Sequence, residues 1–271
     1  MNIVENNLSA INLMDIYESL AKALNVTSSD IEEFIKAQTY RVKKDGYHWD
    51  YKKIVIDDIL EYFDLDIQDI IINSITVSHV AAILDTNSYY EFGLLSLDEL
   101  FSTDNSFIRF LKEFGVTFKR ENDVFKLYIN DQIQSTKYTT HRATKDKCIN
   151  GFMFESNVEK DSNIDHLLRA PELVIHIGRE LLFTEQLVRE WESRSVPSVI
   201  TFKVMIDEID GSTFKDDQQA KSKEEIMVYF LISYFEFLLF EKTGYRNDNH
   251  MVYLKEETNI DANRIVQIRK L

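Results

Sequence analysis

Cysteine, proline and glycine are all scarce in this chain, at 1, 2 and 7 of 271 residues. The single cysteine, Cys148, forms no disulfide within the chain and fits a reducing, cytoplasmic setting. One thiol also excludes a cysteine-rich zinc site. Two prolines exclude a proline-rich recognition segment. Seven dispersed glycines supply no phosphate-cradling loop, and no Gly-x-Ser-x-Gly elbow is present. Long apolar runs are missing as well. The most apolar one, Ile226 to Phe240, is interrupted by Ser233 and Glu236. It falls short of the about 20 residues that span a bilayer. Met1 to Asn7 lack the basic-then-apolar order of a secretory leader. The expectation is a cytoplasmic protein without a membrane partner.

Positive charge is in deficit. Lys plus Arg number 31 against 46 for Asp plus Glu, a formal net charge of -15. Phosphate backbones would meet net repulsion, so direct nucleic-acid binding is not expected. A protein partner with a basic surface is favoured instead. The exception is local: Gln132 to Lys147 carries Lys137, His141, Arg142, Lys145 and Lys147 against Asp146.

What the chain does have is apolar bulk, 44% hydrophobic and 12% aromatic, enough to build a core. Ile11, Leu13, Met14, Tyr17, Leu20, Ala21 and Leu24 recur at helical spacing. A second helix follows a cap at Thr27 to Asp30. Lys43-Lys44-Asp45-Gly46 marks a hairpin or loop, and Ile54 to Phe63 reads as a third helix. Composition then shifts. Ile71 to Val80 is β-branched and reads as a strand, with Ala81 to Leu84 turning helical. Helices are expected through Asp98 and over Phe107 to Phe114, then a hairpin from Val116 to Ile129. A short strand is expected at Ile149 to Phe154. Helical patterns follow over 165–168, 171–182 and 185–192. Val199 to Ile206 is a strand, and Glu224 to Phe240 a long aromatic helix. Met251 to Leu254 and Arg264 to Ile268 are the last candidate strands. The fold class is therefore α+β: a helical N-terminal region, 1–70, before a mixed α/β main domain, 71–271.

The six histidines, 48, 79, 141, 166, 176 and 250, show no metal-ligand spacing, and no metal site is expected. Asp64-Leu65-Asp66 is one of many accidental acidic patterns in so acidic a chain. His79 stands out because it lies near the end of a predicted strand, where polar groups commonly face a ligand crevice. A neutral imidazole there can donate to a ribose hydroxyl. A sheet-edge histidine satisfied by the backbone is the plainer alternative. Tyr89 and Tyr90, in a predicted loop before Gly93, are aromatic ligand or interface candidates. Tyr229, Phe230, Tyr234, Phe235, Phe237 and Phe240 cover more than one helix face. They read as core, or as an interface in a homo-oligomer.

The run Ile75-Thr-Val-Ser-His79-Val-Ala-Ala-Ile83, followed by Phe92-Gly-Leu-Leu-Ser-Leu97, resembles the opening of the ADP-ribosyltransferase-like fold of toxins and phage-conflict proteins. Met251 to Lys255 and Ile260 to Ile268 resemble its last strand pair. The resemblance covers residues 72 to 271. It implies NAD as cofactor, with His79, Tyr89, Tyr90 and Gly93 around the nicotinamide nucleotide and His79 in a catalytic role. One departure counts against it. The family's closing strand begins with a catalytic glutamate, and His250, Met251 or Tyr253 stand there. Glu256 and Glu257 come later, while Glu236 and Glu241 lie on the preceding helix. Without that acid a developing positive charge lacks its compensating carboxylate. The expected function is thus an acidic protein-binding or inhibitory protein in phage–host or mobile-element conflict, with no cofactor. The alternative is an NAD-dependent ADP-ribosyltransferase or NAD glycohydrolase using His79. A helix-rich regulatory protein without a cleft is the third class.

Overall fold

The computed structural model describes residues 6–45, 48–51, 53–122, 124–134, 148–160, 164–214, 222–244 and 249–271. Side chains are described for all of these except 42–51, 157 and 160. The basic stretch 137–147, with His141, lies outside them, as does the side chain of His48.

A two-residue strand β1 (Asn7–Leu8) leads into helices α1 (Leu13–Leu24) and α2 (Ser28–Gln38). Asn12 caps α1, and Asn25 ends it in the left-handed region. Thr27 and Asp30 form a capping box at the start of α2. The Lys-Lys-Asp-Gly signal is a hairpin, β2 (Val42–Asp45) paired with β3 (His48–Tyr51). Helix α3 (Ile56–Phe63) follows.

Strand β4 (Ser74–Ile83) is ten residues long. The helix expected over Ala81 to Leu84 is not there. Ala81, Ala82 and Ile83 pair with Ser198, Pro197 and Val196, so strand pairing overrides the helix preference of alanine. Helices α4 (Thr86–Phe92), α5 (Leu97–Ser102) and α6 (Ser106–Glu113) come next. A separate sheet of β5 (Val116–Glu121), β6 (Val124–Ile129) and β7 (Gln132–Gln134) stands beside them. Strand β8 (Asn150–Phe152) precedes α7 (Asp165–Arg169) and α8 (Glu172–His176). A π-helical turn, Ile177–Leu181, then breaks the predicted 171–182 helix before α9 (Gln186–Arg194).

Strand β9 (Val196–Met205) pairs with β4 along its whole length, Ser74↔Met205 to Ile83↔Val196. Helix α10 (Lys223–Thr243) starts at a Ser222–Glu225 capping box and ends at a left-handed Gly244. Strands β10 (Met251–Tyr253) and β11 (Ile265–Lys270) complete the main sheet, ordered β10-β8-β4-β9-β11. The last two strands are therefore not partners. β10 pairs with β8, β11 with β9, and they sit at opposite edges.

The fold is α+β, with antiparallel pairing throughout the main sheet except for β1 lying parallel to β4. The N-terminal helices share its core. Leu20, Phe34 and Ile59 belong to the same apolar cluster as Val77, Phe202, Phe230 and Phe235. Helix α10 is buried on all sides within this chain, so most of its aromatic residues are core. Phe34 and Phe235 meet edge to face at 5.0 Å, and Phe154 stacks on Phe237 at 4.0 Å. Among the described residues, no helix is long and apolar enough to cross a membrane.

Candidate functional site

His79 lies on the central strand β4, opposite Ile200. The two-residue period puts it on the face of Val77 and Ala81. Its Nδ1 is 2.8 Å from the carbonyl oxygen of Asn150 on β8. A carbonyl only accepts, so Nδ1 carries the proton. In the neutral ring Nε2 is then an acceptor. Burial holds the imidazole below its usual pKa, and the Asn150 hydrogen bond only partly offsets it. No hydrogen bond to Nε2 is shown among the described residues, and the residue as a whole is half-buried. The geometry inverts the expected polarity: Nε2 accepts from a hydroxyl and does not donate to one.

The other three predicted residues take different roles. Tyr89 and Tyr90 are on α4, not in a loop, because Asp85 caps a helical turn at Asn87. Tyr89 packs on the main core, and burial pushes its phenol up to about 12. Tyr90 is exposed. Gly93 ends α4 at a φ of 78°, and its amide donates to the Tyr89 carbonyl. A Cβ at Gly93 would lie 1.9 Å from the Ile260 carbonyl oxygen. Leu94 and Ile260 exchange two backbone hydrogen bonds of 2.9 Å beside it. Gly93 thus permits a close backbone crossing, and its amide is already used.

The carboxylates named from sequence do not join His79, which has no ion pair among the described residues. Glu236 is partly buried in α10, and burial raises its pKa against the opposing pull of Lys53. Glu256 and Glu257 occupy a turn after β10. The acid that sequence reasoning missed is Glu155, 3% exposed. It accepts from Thr201 Oγ1, from Gln267 Nε2 at 3.0 Å and from Arg269 Nε at 2.9 Å. Ser78 extends this network to β4 through Thr201, at 3.2 Å. With donors on both oxygens, Glu155 acts as a structural clamp. Nothing local in Phe154-Glu155-Ser156 announces it.

His79 therefore offers one acceptor, while the Gly93 amide is taken and, among the described residues, no carboxylate bonds to the imidazole. This set does not fit a complete NAD-cleaving site. Among the described residues, no three His, Cys, Asp or Glu side chains converge as metal ligands. His166 and His176 instead lie near Glu172 and Glu180, at 3.6 and 2.8 Å.

A second arrangement lies on α3. Between Ile54 and Ile70 the chain holds six carboxylates and no Lys or Arg. Asp58 is bound by Arg41 through two bonds, of 2.6 and 2.8 Å. Asp57, Glu61 and Asp64 make no ion pair among the described residues and face solvent. Val55, Tyr62 and Ile71 lie on the same stretch of chain, each close to half exposed. Exposed apolar residues on an acid-rich stretch are features that binding surfaces share.

No protein-family model, no curated protein and no solved structure matches this chain.

Proposed function

We propose that this chain is an acidic protein-binding protein that occupies a basic surface of its partner and thereby inhibits it. Its setting would be phage–host or mobile-element conflict. The observation that carries the reading is the α3 region: exposed Asp57, Glu61 and Asp64, without an ion pair among the described residues, on a stretch of chain that also exposes Val55 and Tyr62. Steering by a net charge of -15 speeds encounter with a cationic face, and the exposed apolar residues supply what charge alone does not. The test is quantitative capture from a host extract by the wild-type chain and by an Asp57→Asn/Glu61→Gln/Asp64→Asn variant. A specific protein retained by the first and lost by the second supports the reading. Equal capture by both contradicts it.

The NAD-dependent reading is favoured by one observation, a His79 held toward its neutral form with Nδ1 on the Asn150 carbonyl, which leaves Nε2 as an acceptor for a ribose hydroxyl. It is opposed by the lack of a carboxylate partner at that ring among the described residues. NAD turnover that falls at least tenfold in His79→Ala, with no protein partner retained, would reverse the order of the two readings.

A further inference from the structure

We infer that Phe183 is a pre-positioned anchor whose ring inserts into an apolar pocket of the partner protein. The inference rests on the protein-binding function proposed above and adds a second contact, on a different part of the chain.

Phe183 is the most exposed large apolar side chain among the described residues, at 86%. Its backbone is as unusual as its exposure. With a φ of 51° it takes the left-handed position after a helical turn, where glycine is usual. A bulky residue there is strained, and this one recovers almost no burial within its own chain. Strained residues of this kind cluster at ligand clamps and other functional sites.

The turn that carries the ring is braced on both sides. The π-helical turn Ile177–Leu181 leads into it, a form that recurs at functional sites. The Leu182 amide donates to the Ile177 carbonyl at 3.0 Å, and the Thr184 amide to the Gly178 carbonyl at 2.9 Å. The turn closes tightly on Gly178, where a Cβ would lie 3.1 Å from the Thr184 carbonyl oxygen. Leu181 and Leu182, just before the ring, pack on the cluster of Leu173, Val188 and Trp191. Arg179 Nε donates to Glu185 Oε1 across the turn at 2.7 Å. Little freedom beyond the ring's own side-chain torsions is left to lose on binding.

Charge and shape then choose the occupant. The charged residues nearest Phe183 in the chain are already engaged, Arg179 with Glu185 and Glu180 with His176 at 2.8 Å. They call for no counter-charge, so the complementary feature is apolar. An anionic lipid surface is repelled by the net charge of -15. Leu181 and Leu182 are only partly exposed, so the turn offers one projecting ring and no broad apolar face. A single rigid aromatic ring fits a pocket, as a hot-spot residue does.

The experiment uses the protein that the wild-type chain retains from a host extract. Once purified, it is titrated by calorimetry at low and at high salt with four full-length chains. These are the wild type, Phe183→Asn, Phe183→Leu and Asp57→Asn/Glu61→Gln/Asp64→Asn. Phe183→Asn should bind about thirtyfold more weakly at both salt concentrations, and Phe183→Leu should recover most of that loss. Asparagine accepts the left-handed conformation better than leucine, so stability in urea should rank the two variants the other way. Wild-type affinity in Phe183→Asn, or weaker binding by Phe183→Leu than by Phe183→Asn, overturns the anchor. If the acidic-residue variant is weakened in that same experiment, the α3 reading stands. Weak binding by Phe183→Asn with wild-type affinity in the acidic-residue variant overturns the α3 reading and leaves the anchor. Retention of no protein overturns both. Cosedimentation with phosphatidylcholine vesicles, or self-association, that Phe183→Asn abolishes would give the ring to a lipid surface or a second copy and overturns the pocket.

Discussion

At the residue scale His79 makes a signed prediction. Its folded-state pKa is lowered from 6.5, chiefly by burial. Between the unfolded and folded values the unfolded chain binds the extra proton. This contribution to stability is therefore present above about pH 6.5 and is lost as pH falls toward the lower folded pKa. Urea midpoints measured from pH 7.5 to pH 5 should fall, and the slope should flatten in His79→Gln. An unchanged slope would mean that the imidazole is not held neutral. Phe183 makes a second prediction. It is 86% exposed and sits at a φ of 51°, a left-handed conformation that costs a bulky residue about 1–2 kcal/mol. Phe183→Gly removes that strain and sacrifices almost no packing. A net gain of about 0.5–1 kcal/mol should appear in chemical denaturation, after the greater flexibility of unfolded glycine is subtracted.

At the element scale two clamps decide the architecture. The α4 terminus crosses the 260–262 segment at Gly93, where a Cβ has no room and φ is 78°. Gly93→Ala should cost more than about 2 kcal/mol, measured by urea unfolding. A cost below about 0.5 kcal/mol would contradict the crossing. The second clamp is Glu155, which ties β9 and β11 together and donates its own amide to the Ala10 carbonyl near the N-terminus. Glu155→Ala leaves Thr201, Gln267 and the Arg269 guanidinium short of their shared acceptor and should cost about 2–4 kcal/mol. Glu159→Gln should move stability by less than about 0.5 kcal/mol, because its bond to Arg269 is exposed.

These elements also show what the sequence could and could not reveal. Helix α10 was legible because the run from Ile226 to Phe240 is apolar apart from Ser233 and Glu236 and is too long for a strand. The extent of β4 was not, since Ala81-Ala82 becomes strand only through pairing with residues more than a hundred positions away. The placement of β10 and β11 at opposite edges depends on the same kind of distant partner. Glu155 was invisible for this reason too: Thr201, Gln267 and Arg269 are 46, 112 and 114 residues away. Of the candidate site, the strand that carries His79 was readable, but the expected place of His79 at the strand's end was not correct, because β4 runs on for four residues to Ile83. The proton on Nδ1 was not readable, because Asn150 fixes it from another strand.

At the scale of the whole molecule, sequence alone put the excess of negative charge everywhere. The fold distributes it unevenly. Arg269 draws on Glu155 and Glu159, Arg264 on Glu208, and Arg194 on Glu113 and Glu190. On α3, Asp57, Glu61 and Asp64 are exposed without an ion pair among the described residues, and Val55 and Tyr62 on that stretch are exposed as well. The location of binding is the account's central claim. It is tested most directly by amide hydrogen exchange on the complex with the captured partner. The account predicts slowed exchange over residues 54–71, with β4 and α4 unchanged. Protection confined to His79 and its neighbours through Gly93, with 54–71 exchanging as in the free chain, would contradict it.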